Sequence, residues 1–260
     1  MPQIDASHNW FLVGLSFLVA VFGSYTALQL MRGMKTASAS GRYLWLVAAA
    51  FALGGGAIWT MHFIGMIAYN IDMFVGYDPL LTFVSLFVAV FMVAVGIFIL
   101  SKKQDSIIFL LAAGVITGAG VASMHYSGMA AMVVAADISY DPLLFSLSLA
   151  IAVVAATAAL WLAFNLDGGL QIFGASVVMG IAVCGMHYTG MAAMIMTPNE
   201  ELVVAGSGME PLTLGLFIFC FSMLLLIMSL IVTMSQLQKR MYEALEDEDE
   251  DEKGGQVHAV

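Results

Sequence analysis

Polar residues in this chain fall in narrow bands, and long apolar stretches separate them. Seven stretches reach the length of about 20 mainly apolar residues that a membrane helix needs. They run over 10–30, 43–70, 80–101, 106–136, 143–164, 169–196 and 212–235. Between them lie short segments in which Gly33, Gly41, Gly168, Gly169 and several prolines supply turn residues. The pattern predicts an all-α membrane protein, a bundle of seven transmembrane helices. Composition agrees: 62% of residues are apolar and 10% charged, and the mean hydropathy is +0.97, far from a soluble domain.

Charge adds an orientation. All eight Lys and Arg fall on one side: Arg32, Lys35 and Arg42 after the first stretch, Lys102 and Lys103 after the third, Lys239, Arg240 and Lys253 after the seventh. The opposite loops carry acids alone, including Asp72, Asp78, Asp137, Asp141 and Glu210. By the positive-inside rule the N-terminus is outside and the C-terminus cytoplasmic. The first stretch follows Pro2-Gln3-Ile4-Asp5 with no basic region, so no cleaved signal peptide is expected. The net charge of -10 owes most to one acidic run, Glu246–Glu252, and no basic stripe points to nucleic acid. Cys184 and Cys220 both lie in apolar runs, which argues against a disulfide framework.

A repeat organises the chain. Thr60-Met61-His62-Phe63-Ile64-Gly65-Met66, Ser123-Met124-His125-Tyr126-Ser127-Gly128-Met129 and Gly185-Met186-His187-Tyr188-Thr189-Gly190-Met191 share one pattern. Gly55, Gly118 and Gly180 recur seven positions before each His. Tyr77-Asp78-Pro79 and Tyr140-Asp141-Pro142 recur as well, with Met209-Glu210-Pro211 a looser third, and an acid before Pro suits a helix start. The unit is a two-helix hairpin repeated three times, with one extra helix. Matched positions place the three histidines at one depth, near the midplane or in the outer leaflet. The recurring glycines are expected to let the second, fourth and sixth helices approach one another.

None of the seven stretches contains Asp, Glu, Lys or Arg, which argues against a carboxylate-based pump and excludes a retinal Schiff base. Ionisable histidines at depth are the candidate chemistry. Helical spacing aligns His62 with Met66 and Tyr69, His125 with Met129 and Met132, and His187 with Met191 and Met194. Met61, Met124 and Met186 point about 100° away and can face a neighbouring copy. Imidazole with thioether is a soft, neutral donor set that suits copper, Cu(I) above all. Each methionine taken singly reads as packing, and a lone buried His reads as hydrogen-bonded. Three at matched depth read as shared ligation, with haem as the alternative. Cys184, one turn before His187, reads first as a small buried residue and second as a further ligand. Tyr126 and Tyr188 are expected to pack or hydrogen-bond between helices.

These motifs resemble the MHYT family of bacterial integral membrane sensor domains. Met186-His187-Tyr188-Thr189 is the family motif itself, and Met124-His125-Tyr126-Ser127 and Met61-His62-Phe63-Ile64 are close variants. His8-Asn9-Trp10 and Ser24-Tyr25-Thr26-Ala27-Leu28 also look like the start of that domain. The resemblance implies a bacterial inner-membrane sensor of O2, CO or NO through bound copper. It assigns the metal to His62, His125 and His187 with Met61, Met66, Met124, Met129, Met186 and Met191.

The expected organisation is an outer N-terminal segment (1–9), the sensor domain (8–200), an outer loop with the seventh helix (201–235) and a disordered acidic tail (236–260). With 25 residues after 235, a separate cytoplasmic signalling protein is the expected output partner. Copper transport or handling is the alternative, kept open by Met31, Met34, Met234 and Met241 near the inner face. Catalysis has no support, because no nucleophile–base constellation and no phosphate-binding loop are present.

Overall fold

The computed structural model describes residues 4, 6–36, 39–166, 168–199, 201–202 and 208–257. Two compact units are present, Met1–Ser222 and Met223–Val260. The first holds α1 (Trp10–Thr36), α2 (Ala39–Ala50), a π-helix (Phe51–Trp59), α3 (Thr60–Ile67), α4 (Pro79–Lys102), α5 (Ile107–Ala130), α6 (Pro142–Asn165) and α7 (Gly169–Ala192). Helix α8 (Pro211–Val257) begins in the first unit and supplies the second. Seven helices among the described residues are long and apolar enough to cross a membrane, and α2, the π-helix and α3 together make the second.

Neighbouring helices close a ring: α1 against α2 and the π-helix, these against α4, then α4–α5, α5–α6, α6–α7 and α7 back to α1. The motif-bearing α3 also meets both α5 and α7. The second, fourth and sixth spans therefore meet inside, as the repeat predicts.

The motif helices end sooner than hydropathy suggests. Expected limits of 70, 136 and 196 become Ile67, Ala130 and Ala192. The chain then turns into short strands: β2 (Tyr69–Ile71), β4 (Met132–Val133) and β6 (Met194–Pro198). Each pairs antiparallel with a strand that precedes an odd-numbered span: β1 (Ala6–His8) with β2, β3 (Gly76–Tyr77) with β4, and β5 (Ala136–Tyr140) with β6. The structural unit is thus strand–helix–helix–strand, clipped at its open end. Tyr69, Met132 and Met194, expected one turn above the motif on a helix face, stand in these ladders instead. Their backbone groups need partners once the helix stops, and the ladder supplies them.

The caps repeat as well. Asp78 accepts from Leu81 N–H, Asp141 from Leu143 and Leu144, and Asn9 from Phe11 and Leu12. The backbone N–H of each cap residue donates to the carbonyl that ends a motif helix: Asn9 to Ala68, Asp78 to Ala131 and Asp141 to Ala193, at 2.7–2.8 Å.

Gly55, Gly118 and Gly180 do not lie between the motif helices. A Cβ at Gly118 would come within 2.5 Å of Val153 on α6, and one at Gly180 within 2.6 Å of Val21 on α1. Gly55 faces Phe221 and Leu86. These glycines seat inner helices on outer ones. The sequence allows the seventh helix to continue over 236–245 before the acidic run; α8 spans Pro211–Val257, and residues 258–260 of the expected tail, like 1–3 and 5 of the outer N-terminal segment, lie outside the described residues. Glutamate is a good helix former, so charge alone does not end the helix.

Candidate metal centre

Each motif histidine lies five residues before the end of its helix, so the three sit about one and a half turns from the strand end of the bundle. His62, His125 and His187 are 0–1% exposed. Their Nδ1 atoms form a triangle: His125–His62 is 3.0 Å, His62–His187 is 3.1 Å and His187–His125 is 3.4 Å. The rings cross nearly at right angles, with centroids 4.9–5.2 Å apart. Among the described residues, this is the group of His, Cys or carboxylate side chains placed to hold a metal ion.

A cyclic interlock sets this geometry. A Cβ at Gly128 would overlap Nε2 of His62, one at Gly190 would overlap Nε2 of His125, and one at Gly65 would overlap Nε2 of His187. The glycine of one motif is therefore the seat of the preceding motif's imidazole, round all three copies. None of the three Nε2 atoms has a hydrogen-bond partner. Each Nε2 edge is pressed against a helix backbone, and each Nδ1 points to the shared centre.

The motif aromatics brace the cluster from outside. Phe63, Tyr126 and Tyr188 each meet the neighbouring His edge-on at 4.7–4.8 Å. The Tyr126 and Tyr188 hydroxyls pair with Ser148 at 2.6 Å and Ser16 at 3.0 Å, as expected of helix-bridging tyrosines. Ser85 is the corresponding serine in the first copy. Phe63 has no hydroxyl to offer it, and the indole N–H of Trp59 donates to Ser85 at 3.0 Å instead.

All six candidate methionines are buried, at 0–3% exposure. Two of them open onto different cavities. Met191 lines a cavity of about 590 Å³ at the strand end, and Met186 lines an apolar cavity with Leu53, Ile58, Thr117 and Val121. Met186 thus faces a cavity that the second and fourth spans also line. Cys184 is half-buried and lies outside the histidine cluster, so it is not a fourth member. Met31 and Met34 are buried on α1, whereas Met234 and Met241 are exposed on α8.

His8 is a residue whose place the sequence left open. It pairs with Tyr69 across β1 and β2, and its ring meets Tyr69 at 5.4 Å and Tyr188 at 6.0 Å. Burial raises the phenols of Tyr69, Tyr77 and Tyr140 at this end, so all three stay protonated.

Three repeats of one motif, clipped alike and joined at one centre, agree with comparison against known proteins. The family model described as "MHYT: Bacterial signalling protein N terminal repeat" matches residues 55–113, 118–176 and 180–241. The chain belongs to the MHYT family. The matched MHYT unit starts in a motif helix and runs into the following span, whereas the strand ladders close the alternative pairing of first with second, third with fourth and fifth with sixth spans.

Among relatives, the bifunctional diguanylate cyclase/cyclic di-GMP phosphodiesterase MucR of Pseudomonas aeruginosa is 39% identical over 92% of this chain and 36% of its own length. Signaling protein YkoW of Bacillus subtilis is 35% identical over 87% of this chain and 30% of its own. Cyclic di-GMP phosphodiesterase NbdA of P. aeruginosa is 36% identical over 76% and 25% respectively. The chain therefore spans about a quarter to a third of the length of these MHYT relatives. No solved structure matches it. It is a multi-pass membrane module of a signalling family, and the lipid bilayer is its surroundings.

Proposed function

We propose that the chain is a membrane sensor whose receptor element is one metal ion, copper above all, held by Nδ1 of His62, His125 and His187. The Nδ1 triangle carries this reading. A circle through its three corners has a radius of about 1.8 Å, just under an ordinary metal–imidazole bond of about 2.0 Å. A neutral imidazole has one N–H and one lone pair. Three Nδ1 atoms this close cannot all find partners in one another, and an ion at the centre satisfies all three lone pairs.

Charge selects among ions. No carboxylate joins the cluster, and a buried charge without compensation is costly. A soft monovalent ion suits three neutral nitrogens with thioethers on the same helices, whereas hard divalent ions prefer oxygen. Haem suits the site less well, since the third imidazole stands where a porphyrin plane would separate the other two. Bound copper would supply reversible coordination of O2, CO or NO, or a one-electron change. The protein's part is to fix the three rings and exclude water.

The relatives support a signalling output. Cyclic di-GMP turnover in MucR and NbdA is assigned here to the parts of those proteins that this chain does not match. In this protein the corresponding signal is passed to a cytoplasmic signalling partner.

Metal content under reducing conditions tests the proposal. Wild type should retain stoichiometric copper, and His62→Ala, His125→Ala and His187→Ala should each lose it while staying monodisperse, because packing is spread over the whole ring of helices. Copper retained by all three variants, or absent from wild type, overturns the proposal.

A further inference from the structure

The threefold repeat also breaks at a position beside the histidine triangle. Immediately before the caps Asn9, Asp78 and Asp141 stand His8, Tyr77 and Tyr140. Each occupies the same place. In the ladders they face Tyr69, Met132 and Met194. Their rings lie against the three motif aromatics: Tyr77 on Phe63 at 6.1 Å, Tyr140 on Tyr126 at 5.3 Å and His8 on Tyr188 at 6.0 Å. Tyr77 fills its place and is 1% exposed. At the third place a smaller imidazole stands instead of a phenol, and a cavity of about 590 Å³ opens beside it.

That cavity has a distinctive lining. His8, Trp10, Tyr69 and Tyr188 bring aromatic rings, Met191 and Met194 bring thioethers, and among the described residues no Asp, Glu, Lys or Arg lines it. Nε2 of His8 is shielded from solvent without a hydrogen-bond partner. A buried polar nitrogen left unpaired calls for a ligand. The cavity also reaches the motif, because Met191 lies one turn beyond His187 on the same helix face.

We propose that this cavity is the loading site for a soft monovalent metal ion, taken first by the His8 imidazole and handed through Met191 and Met194 to the histidine triangle. The inference rests on the metal reading of that triangle. The imidazole and two thioethers in its lining are soft donors, which favour Cu(I) over the abundant hard cations. The apolar cavity at Met186 offers no such route. Besides Met186 it is lined by one further thioether, Met179, one hydroxyl, Thr117, and aliphatic side chains, with no imidazole among the described residues, so an ion crossing it would lose its hydration with little replacement.

The full chain in lipid nanodiscs, given Cu(I) from a coloured chelator, separates rate from capacity. Colour loss reports the loading rate, and elemental analysis reports the final copper content. His8→Ala removes the first ligand. His8→Tyr installs the residue that the other two copies use, filling the cavity in a packing the fold already tolerates twice. Both variants should load at least about tenfold more slowly, the lower end of what loss of a supporting metal partner costs. Both should still reach wild-type copper content. Loading of His8→Tyr at the wild-type rate overturns the loading site and leaves the triangle standing. A wild type that takes up no copper overturns both.

Discussion

Three glycines decide how closely the imidazoles can converge. Gly65, Gly128 and Gly190 give their missing side chains to His187, His62 and His125. Gly128→Ala should therefore push His62 off the centre, destabilise by about 1–3 kcal/mol as overpacking does, and reduce copper content. Gly185→Ala is the matched control. It lies in the third motif, two residues before His187, and a Cβ there meets nothing within 4 Å. It should leave copper content unchanged and raise the melting temperature slightly, by helix propensity. Equal effects of the two substitutions on copper content would show that the interlock does not set the site. The histidines were legible in the sequence because buried ionisable groups are rare and these repeat in step. The glycines were legible only as repeats. Spacing says that a small residue recurs, but which neighbour fills its place depends on helix rotation. That is why Gly55, Gly118 and Gly180 seat the inner helices on outer ones, while the motif glycines carry the inner contact.

Helix positions followed from hydropathy, and helix ends did not. The strands β2, β4 and β6 are built from residues such as Met132, Val133, Met194 and Ile195, as apolar as the helices they follow. Two to five such residues show no clear alternation against the helical run before them. Their pairing is settled by strands some 60 residues away in the chain, or by β1 at its start. The caps were legible, because an acid before Pro has a local meaning. Asn9 escaped notice without that proline, although its side chain makes the same bonds. Cap chemistry gives a direct test at this scale. Asp141→Ala should cost about 1 kcal/mol, read as a lower melting temperature in nanodiscs. Asp141→Asn should be close to neutral, since Asn serves the first copy. An equal loss in both would mean that charge, rather than the bond to Leu143 and Leu144, holds the helix start. The π-helix at Phe51–Trp59 is a local departure with its own cause. Gly54 lies so close to the Ala89 carbonyl that a Cβ would come within 2.7 Å, and Thr60 Oγ1 and N–H both donate to the Gly55 carbonyl.

At the scale of the molecule, the direction of sensing depends on which end of the bundle meets which side of the membrane. Both the histidine triangle and the His8 cavity lie toward the strand end, where β1–β6 cap the helices. The helix ends away from the strands carry Arg32, Lys35, Arg42, Lys102 and Lys103, whereas the strand end carries Asp72, Asp78, Asp137 and Asp141. By the positive-inside rule the basic end is expected in the cytoplasm, which would let the proposed site open outward and deliver its signal inside. In that orientation an ion or a gas would reach the proposed site over a path of about one and a half helical turns, roughly 8 Å, without crossing the membrane. Reporter fusions after Lys35, Lys103 and Arg240 should be cytoplasmic, and fusions after Val75, Ser139 and Leu202 should be external. A cytoplasmic signal from any of the last three would reverse the argument. The His8 cavity would then draw on the reduced, chaperoned copper of the cytoplasm, and a chelator that cannot cross the membrane would have no effect on loading when added outside intact cells. With the site facing outward, the same chelator added outside should block loading completely.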